Sequence, residues 1–156
     1  MLKPGDTAPD FSIPDAHGDE VSLASLLETG PAVLYFYPAD FTPGCTAQAC
    51  MVRDLHSELV AVGLQVAGVS PQKPASHAKF AEKFGLPFTL LCDTDKSIAK
   101  RYGAVWPLGI AFRRVTYLVD QNRQIVDAVT ADLNIGRHKT FVKRAIERHT
   151  QADAAS

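Results

Sequence analysis

Residues 37–50 read YPADFTPGCTAQAC and join an apolar run, PAVLYFYP (31–38), to a segment with helical spacing. The run is short and continuously apolar, the pattern of a strand buried on both faces. Beyond Pro43, the residues Val52, Leu55, Leu59 and Val62 recur down one helical face until Gly63 stops the segment. A strand that passes through a short loop into a helix is a building unit of α/β sheets, and ligands collect where such strands end and helices begin. Cys45 falls in that junction, and Cys50 follows in the same helix.

The alternation extends in both directions. Upstream, DFSIPD (10–15) and EVSL (20–23) flank the turn-rich Ala16-His17-Gly18-Asp19 and read as an N-terminal hairpin. Downstream, LQVAGVS (64–70) is a strand, PASHAKFAEKFG (74–85) a solvated amphipathic helix between Pro74 and Gly85, and FTLLC (88–92) another strand. A short helix, DKSIAKRYG (95–103), precedes a hairpin of VTYLV (115–119) and QIVDAVT (124–130), and a final helix runs from about Arg137 to His149. No repeat, linker or low-complexity segment divides the chain, so residues 1–150 are expected to form one domain and 151–156 a frayed tail. The expected class is α/β, a mixed central sheet flanked by helices on both faces, with the hairpin as an N-terminal extension.

Composition narrows the function classes. Of 156 residues, 16 are Lys or Arg and 17 Asp or Glu, interspersed without a like-charge block, which argues against nucleic acid and against a membrane surface. No apolar stretch is long enough to span a bilayer and the N-terminus has no signal-peptide pattern, so a cytoplasmic protein is expected. Three cysteines are too few for a disulfide framework, and in a reducing compartment each must be a buried filler, a ligand or a reactive thiol.

Cys45 has the strongest claim to reactivity. The unpaired N–H groups in the first turn of a helix stabilise negative charge, so a thiol held there is biased toward the nucleophilic thiolate. Positions 45 and 50 in one intact helix place their Cα atoms roughly 8.6 Å apart. A disulfide needs less than about 7 Å, so the two cannot bond until the first turn or two unwinds. The pattern suggests a switch in which the bond forms after Cys45 is oxidised to sulfenic acid and the segment loosens locally, with Gly44 helping it do so. Cys92 closes an apolar run and reads as a buried filler. His17, His56, His77, His138 and His149 are read as scattered over turns and helix surfaces without ligand spacing, and neither metal nor organic cofactor is expected.

These residues resemble a known family. YPADFTPGCTAQAC is similar to the peroxidatic-loop signature of peroxiredoxins of the bacterioferritin comigratory protein or PrxQ type, with Pro38, Thr42 and Cys45 at the motif spacing. GDTAPDFSIPDAHGDEVSLASL (5–26), FGLPFTLLCDTDKSIAKRYGA (84–104) and FRRVTYLVDQNRQIV (112–126) resemble other parts of the family, so the likeness runs from about Lys3 to His149. It implies a thioredoxin-like fold that reduces hydrogen peroxide and organic hydroperoxides. Cys45 would be the attacking thiol, Cys50 the resolving thiol, and thioredoxin or a similar thiol the reductant. Arg114 aligns with the family arginine. Neighbouring strand residues face opposite sides, so only one of Arg113 and Arg114 can face Cys45. Thr42 would contribute a hydroxyl and Pro38 would shield the pocket from water. The segment VWPLGIAFRR (105–114) departs from the family pattern in being more apolar, which makes Trp106 a candidate for substrate access, a dimer contact or a core cap. A resolving cysteine in the same chain makes a monomer sufficient, with a weak dimer as the alternative.

Two other classes compete. A thioredoxin-like disulfide oxidoreductase would carry its partner thiol at C-x-x-C spacing, which is missing here. A non-catalytic redox-sensing interaction module gives no reason for Cys45, Thr42 and Arg114 to occur together.

Overall fold

In the computed structural model the chain enters through an antiparallel hairpin, β1 (Ser12–Pro14) and β2 (Glu20–Ser22), which forms a two-stranded sheet of its own. The backbone is described for residues 1–155 and the side chains for 1–150, so the expectation for the 151–156 tail lies outside the residues whose side chains are described. A short helix, α1 (Leu23–Leu26), follows directly. Ser22 and Ser25 cap it reciprocally, each side chain bonding the other's backbone, and Leu23 is turned into the core. This turn was not legible in EVSL, where Leu23 reads as the last strand residue.

The central sheet begins with β3 (Ala32–Phe36), which leads into α2 (Pro43–Ala61) and then β4 (Gln65–Ser70). α3 (Pro74–Phe84), β5 (Thr89–Cys92), α4 (Ser97–Arg101), β6 (Val115–Val119), β7 (Ile125–Thr130) and α5 (Ile135–Ala155) complete the chain. The strand order is β5-β4-β3-β6-β7, parallel from β3 to β5 and antiparallel from β3 to β7. Gly85 ends α3 in a left-handed conformation (φ 59°), which a residue without Cβ adopts at least cost.

β3 is buried throughout, and its alternating side chains feed two cores. Leu34 and Phe36 pack with Phe11, Leu23, Ile98, Tyr102, Phe112 and Tyr117 beneath the N-terminal segment and α4. Val33, Tyr35 and Tyr37 pack with Cys45, Val52, Leu59, Phe80 and Phe141 beneath α2, α3 and α5. The sheet is therefore covered on both faces, and the stripe Val52, Leu55 and Leu59 fixes the body of α2 on one of them. Burying each such aliphatic side chain is worth about 1.5–3 kcal/mol, so the middle of the helix is anchored more firmly than its start.

The histidines differ from their sequence reading. His77 and His138 are fully buried rather than at a helix surface. On α3, His77 and Phe80 are one turn apart and share the inward face, and both ring nitrogens of His77 find oxygen partners there.

Candidate active site

The loop after β3 delivers Cys45 to a defined place. Thr42 is the N-cap of α2 and Pro43 its first helical residue, where the missing N–H costs no hydrogen bond. The Thr42 carbonyl accepts the first intrahelical bond, from Thr46 N–H at 2.8 Å. Cys45 lies in that first turn, 1 % exposed. Its sulfur is thus near the positive end of the helix dipole and sheltered from water.

Opposite stands Arg114. The β3–β6 register pairs Phe36 with Val115, so Arg114 emerges beside the chain as it leaves β3. Its Nη1 and Nη2 each lie 3.4 Å from Cys45 Sγ, so the guanidinium presents both terminal nitrogens to the sulfur. A planar cation at this distance stabilises negative charge on sulfur and offers donors to an oxygen bound there. Arg114 is itself fixed from two sides. Nη1 donates to Gln48 Oε1 at 2.7 Å. On the other side the Arg114 backbone N–H donates to Asp132 Oδ1 (3.0 Å) and Nε to the Asp132 carbonyl (3.2 Å).

Gly44 permits this approach. A Cβ added there would come within 3.1 Å of Arg114 Nη2, so the missing side chain makes room for the cation. Arg113 points elsewhere: it pairs with Asp132 Oδ2 at 3.1 Å, and its guanidinium carbon stands 4.6 Å from the centre of the Trp106 ring. Trp106 is exposed, as are Leu108, Ile110 and Leu133.

The remaining expected residues are placed as follows. Thr42 is exposed, and its hydroxyl donates to the Ala39 carbonyl at 3.3 Å, which leaves its oxygen lone pairs free to accept. Pro38 is half-buried at the strand exit. Cys50 shares α2 with Cys45, is unbonded and half-buried, and lines a groove of about 300 Å³ with Met51, Leu55, Ile135 and Lys139. Cys92 is buried against the Asp15 carbonyl (3.6 Å from Sγ), and burial, aided by the charges of Asp40 and Asp15, pushes its thiol up to about 11. It therefore stays protonated near neutrality and is a poor nucleophile.

Sequence reading missed Gln48 and Asp132. Gln48 had a signal, since three residues beyond Cys45 a side chain lies on the same helical face. Asp132 had none, because it acts from the end of another strand. Among the described residues no group of His, Cys, Asp and Glu is arranged to hold a metal ion, and no helix is long and apolar enough to cross a membrane.

Comparison with known proteins bears on this arrangement. The family model described as the AhpC/TSA family matches residues 4–128. Peroxiredoxin Bcp of Escherichia coli K12 is 40 % identical over 156 residues, covering 95 % of this chain and 97 % of that protein. The crystal structure of peroxidoxin BcpB from Mycobacterium tuberculosis superposes with a TM-score of 0.87 at 34 % identity, over 97 % of this chain and 98 % of that one. The bacterioferritin comigratory protein of Xanthomonas campestris, described for its alkyl peroxide reduction activity, matches with a TM-score of 0.81 at 26 % identity, over 96 % of this chain and 97 % of that one.

Proposed function

The chain belongs to the peroxiredoxins of the AhpC/TSA family and is a thiol-dependent peroxidase with a thioredoxin-like fold, and we propose that Cys45 is its attacking thiolate and Cys50 its resolving thiol. The observation that carries the assignment is the two-pronged approach of Arg114 to Cys45 Sγ.

In the first step the Cys45 thiolate attacks one peroxide oxygen, the O–O bond breaks, and the departing alkoxide or hydroxide takes a proton to leave as alcohol or water. Cys45 becomes sulfenic acid, oxidised by two electrons while the peroxide is reduced. Arg114 is positioned to stabilise charge as the O–O bond lengthens, and Gln48 and Asp132 spare it reorganisation during reaction. Thr42, whose own proton is engaged with Ala39, accepts a hydrogen bond from the peroxide, and Pro38 limits water at the loop.

In the second step the Cys50 sulfur displaces the sulfenic hydroxyl, which leaves as water, and a Cys45–Cys50 disulfide forms. Both residues lie in α2, so its first turns unwind while the stripe from Val52 onward stays on the sheet. A dithiol donor then returns both thiols and becomes a disulfide itself. We read the donor as thioredoxin or a similar protein thiol, the substrates as hydrogen peroxide and organic hydroperoxides, the working unit as a monomer of one domain over 1–150, and the compartment as the cytoplasm.

The test is steady-state peroxide consumption with thioredoxin and thioredoxin reductase. Cys45→Ser is expected to abolish turnover, and Cys50→Ser to stop recycling by thioredoxin while leaving one oxidation of Cys45 per chain. Full activity in Cys45→Ser would overturn the assignment.

A further inference from the structure

The loop that carries Cys45 is tied down on its other side by a buried polar cluster that the chemistry above does not use. Asp40, five residues before Cys45, is 6 % exposed, yet three donors converge on its carboxylate. Tyr37 Oη donates to Oδ1 at 2.7 Å, Ser76 Oγ to Oδ2 at 2.7 Å, and His77 Nδ1 lies 2.8 Å from Oδ2. His77 continues the chain, its Nε2 lying 2.9 Å from the Leu91 carbonyl of β5. Burial alone would raise the Asp40 carboxyl, but the bonds from His77, Ser76 and Tyr37 outweigh it and hold the group below its ordinary value. A second contact reinforces the first. Phe41, in a left-handed conformation (φ 66°), packs its ring edge-on against Phe80 of α3, with centroids 5.2 Å apart. The segment between β3 and α2 is thus fastened to α3 and β5 by a polar tie and an aromatic one. Arg114, arriving from β6 on the opposite side, holds Cys45 itself.

We propose that Asp40, with His77 and Ser76, is a clamp that sets how readily the first turns of α2 unwind, and so divides the oxidised enzyme between resolution and overoxidation. The proposal rests on the Cys45–Cys50 reading above. The fate of the sulfenic acid is a competition. In the folded loop Cys45–SOH meets a second hydroperoxide and becomes sulfinic acid, with release of alcohol or water. In the unwound loop it condenses with Cys50–SH to give the disulfide and water. Bonds that fasten Asp40 stabilise the folded loop and so favour the first outcome; loosening them shifts the population toward the second. None of the three residues needs to touch peroxide. They are positioning residues that act through the backbone between Asp40 and Cys45.

The test compares the wild type with Asp40→Asn, which keeps shape but loses the charge that orders the donors, and with the milder Ser76→Ala. Ile125→Val, in the core on the opposite face of the sheet, controls for general loss of stability. Each whole protein is titrated with hydrogen peroxide during turnover with thioredoxin, and sulfinic acid at Cys45 is read by mass spectrometry. Loss of one buried hydrogen bond is expected to raise the peroxide concentration for half-overoxidation about fivefold. Hydrogen exchange of the amides of residues 44–50 is expected to accelerate in the same two variants and not in Ile125→Val. An unchanged threshold in a folded Asp40→Asn or Ser76→Ala, or an equal shift in Ile125→Val, would overturn the clamp. If Asp40→Asn fails to fold, Ser76→Ala decides. Absence of the Cys45–Cys50 bond in the wild type would instead strike the reading on which the clamp rests.

Discussion

Arg114 meets Cys45 with both terminal guanidinium nitrogens, each 3.4 Å from Sγ, across 69 residues of chain. The cation is immobilised before substrate arrives, because Gln48 accepts from its Nη1 and the Asp132 carbonyl from its Nε. Replacing it by lysine keeps the charge but loses the fork that addresses sulfur and Gln48 together. Arg114→Lys is expected to slow the reaction of Cys45 with hydrogen peroxide about 10- to 100-fold, measured by rapid mixing under single-turnover conditions. A rate within twofold of wild type would show that the geometry is incidental.

Gly44 tests the same contact from the other side. An alanine Cβ would press on Nη2 at 3.1 Å, and Arg114 has little freedom to retreat. Gly44→Ala is therefore expected to lower the peroxide rate by about tenfold while leaving thermal stability close to wild type. Alanine is otherwise the better helix former, so an increase in stability with no loss of rate would count against the close approach.

Gln48 separates support from chemistry. Gln48→Leu removes the acceptor at 2.7 Å and leaves a buried guanidinium N–H without a partner, at a cost of about 1–3 kcal/mol. The expected result is a lower peroxide rate and a lower midpoint in urea, with Gln48→Glu recovering the rate better than Gln48→Leu.

Much of the fold was legible because its signals are local. Proline and glycine punctuate α2 and α3 where the structure begins and ends them, and the apolar run at 31–38 is the central strand. Alternation along a strand allowed only one of Arg113 and Arg114 to face Cys45, and the family resemblance chose Arg114; the structure turns Arg114 toward Cys45 and the Arg113 guanidinium toward the Asp132 carboxylate and Trp106. What escaped was non-local. Ser76 and His77 lie 36 and 37 residues from Asp40 in sequence, and no periodicity announces their meeting. Histidine on an otherwise charged helix reads as solvated unless its one-turn spacing to Phe80 is weighed. Asp132 lies 18 residues beyond Arg114 and reaches it only because β6 and β7 pair.

Acid should weaken the fold through His138. Burial pushes this imidazole below its ordinary 6.5, against the pull of its bond to the Ala131 carbonyl. Nε2 donates to that carbonyl at 2.9 Å and Nδ1 lies 2.8 Å from Thr116 Oγ1, an arrangement the neutral ring satisfies. The unfolded chain thus binds more protons than the folded one between the folded-state value and 6.5. The contribution is complete above that upper limit and is lost as pH falls through the folded-state value. Urea midpoints at about pH 8 and about pH 5 should fall further for wild type than for His138→Asn. Equal losses would rule His138 out as a source.

The most direct measurement is peptide mass spectrometry of the fully reduced protein after a single equivalent of hydrogen peroxide, with free thiols alkylated under denaturing conditions. A disulfide joining Cys45 to Cys50, with Cys92 alkylated, is the expected product. Three alkylated thiols, or a bond that leaves Cys45 free, would contradict the assignment of Cys45 as the peroxide-attacking thiol.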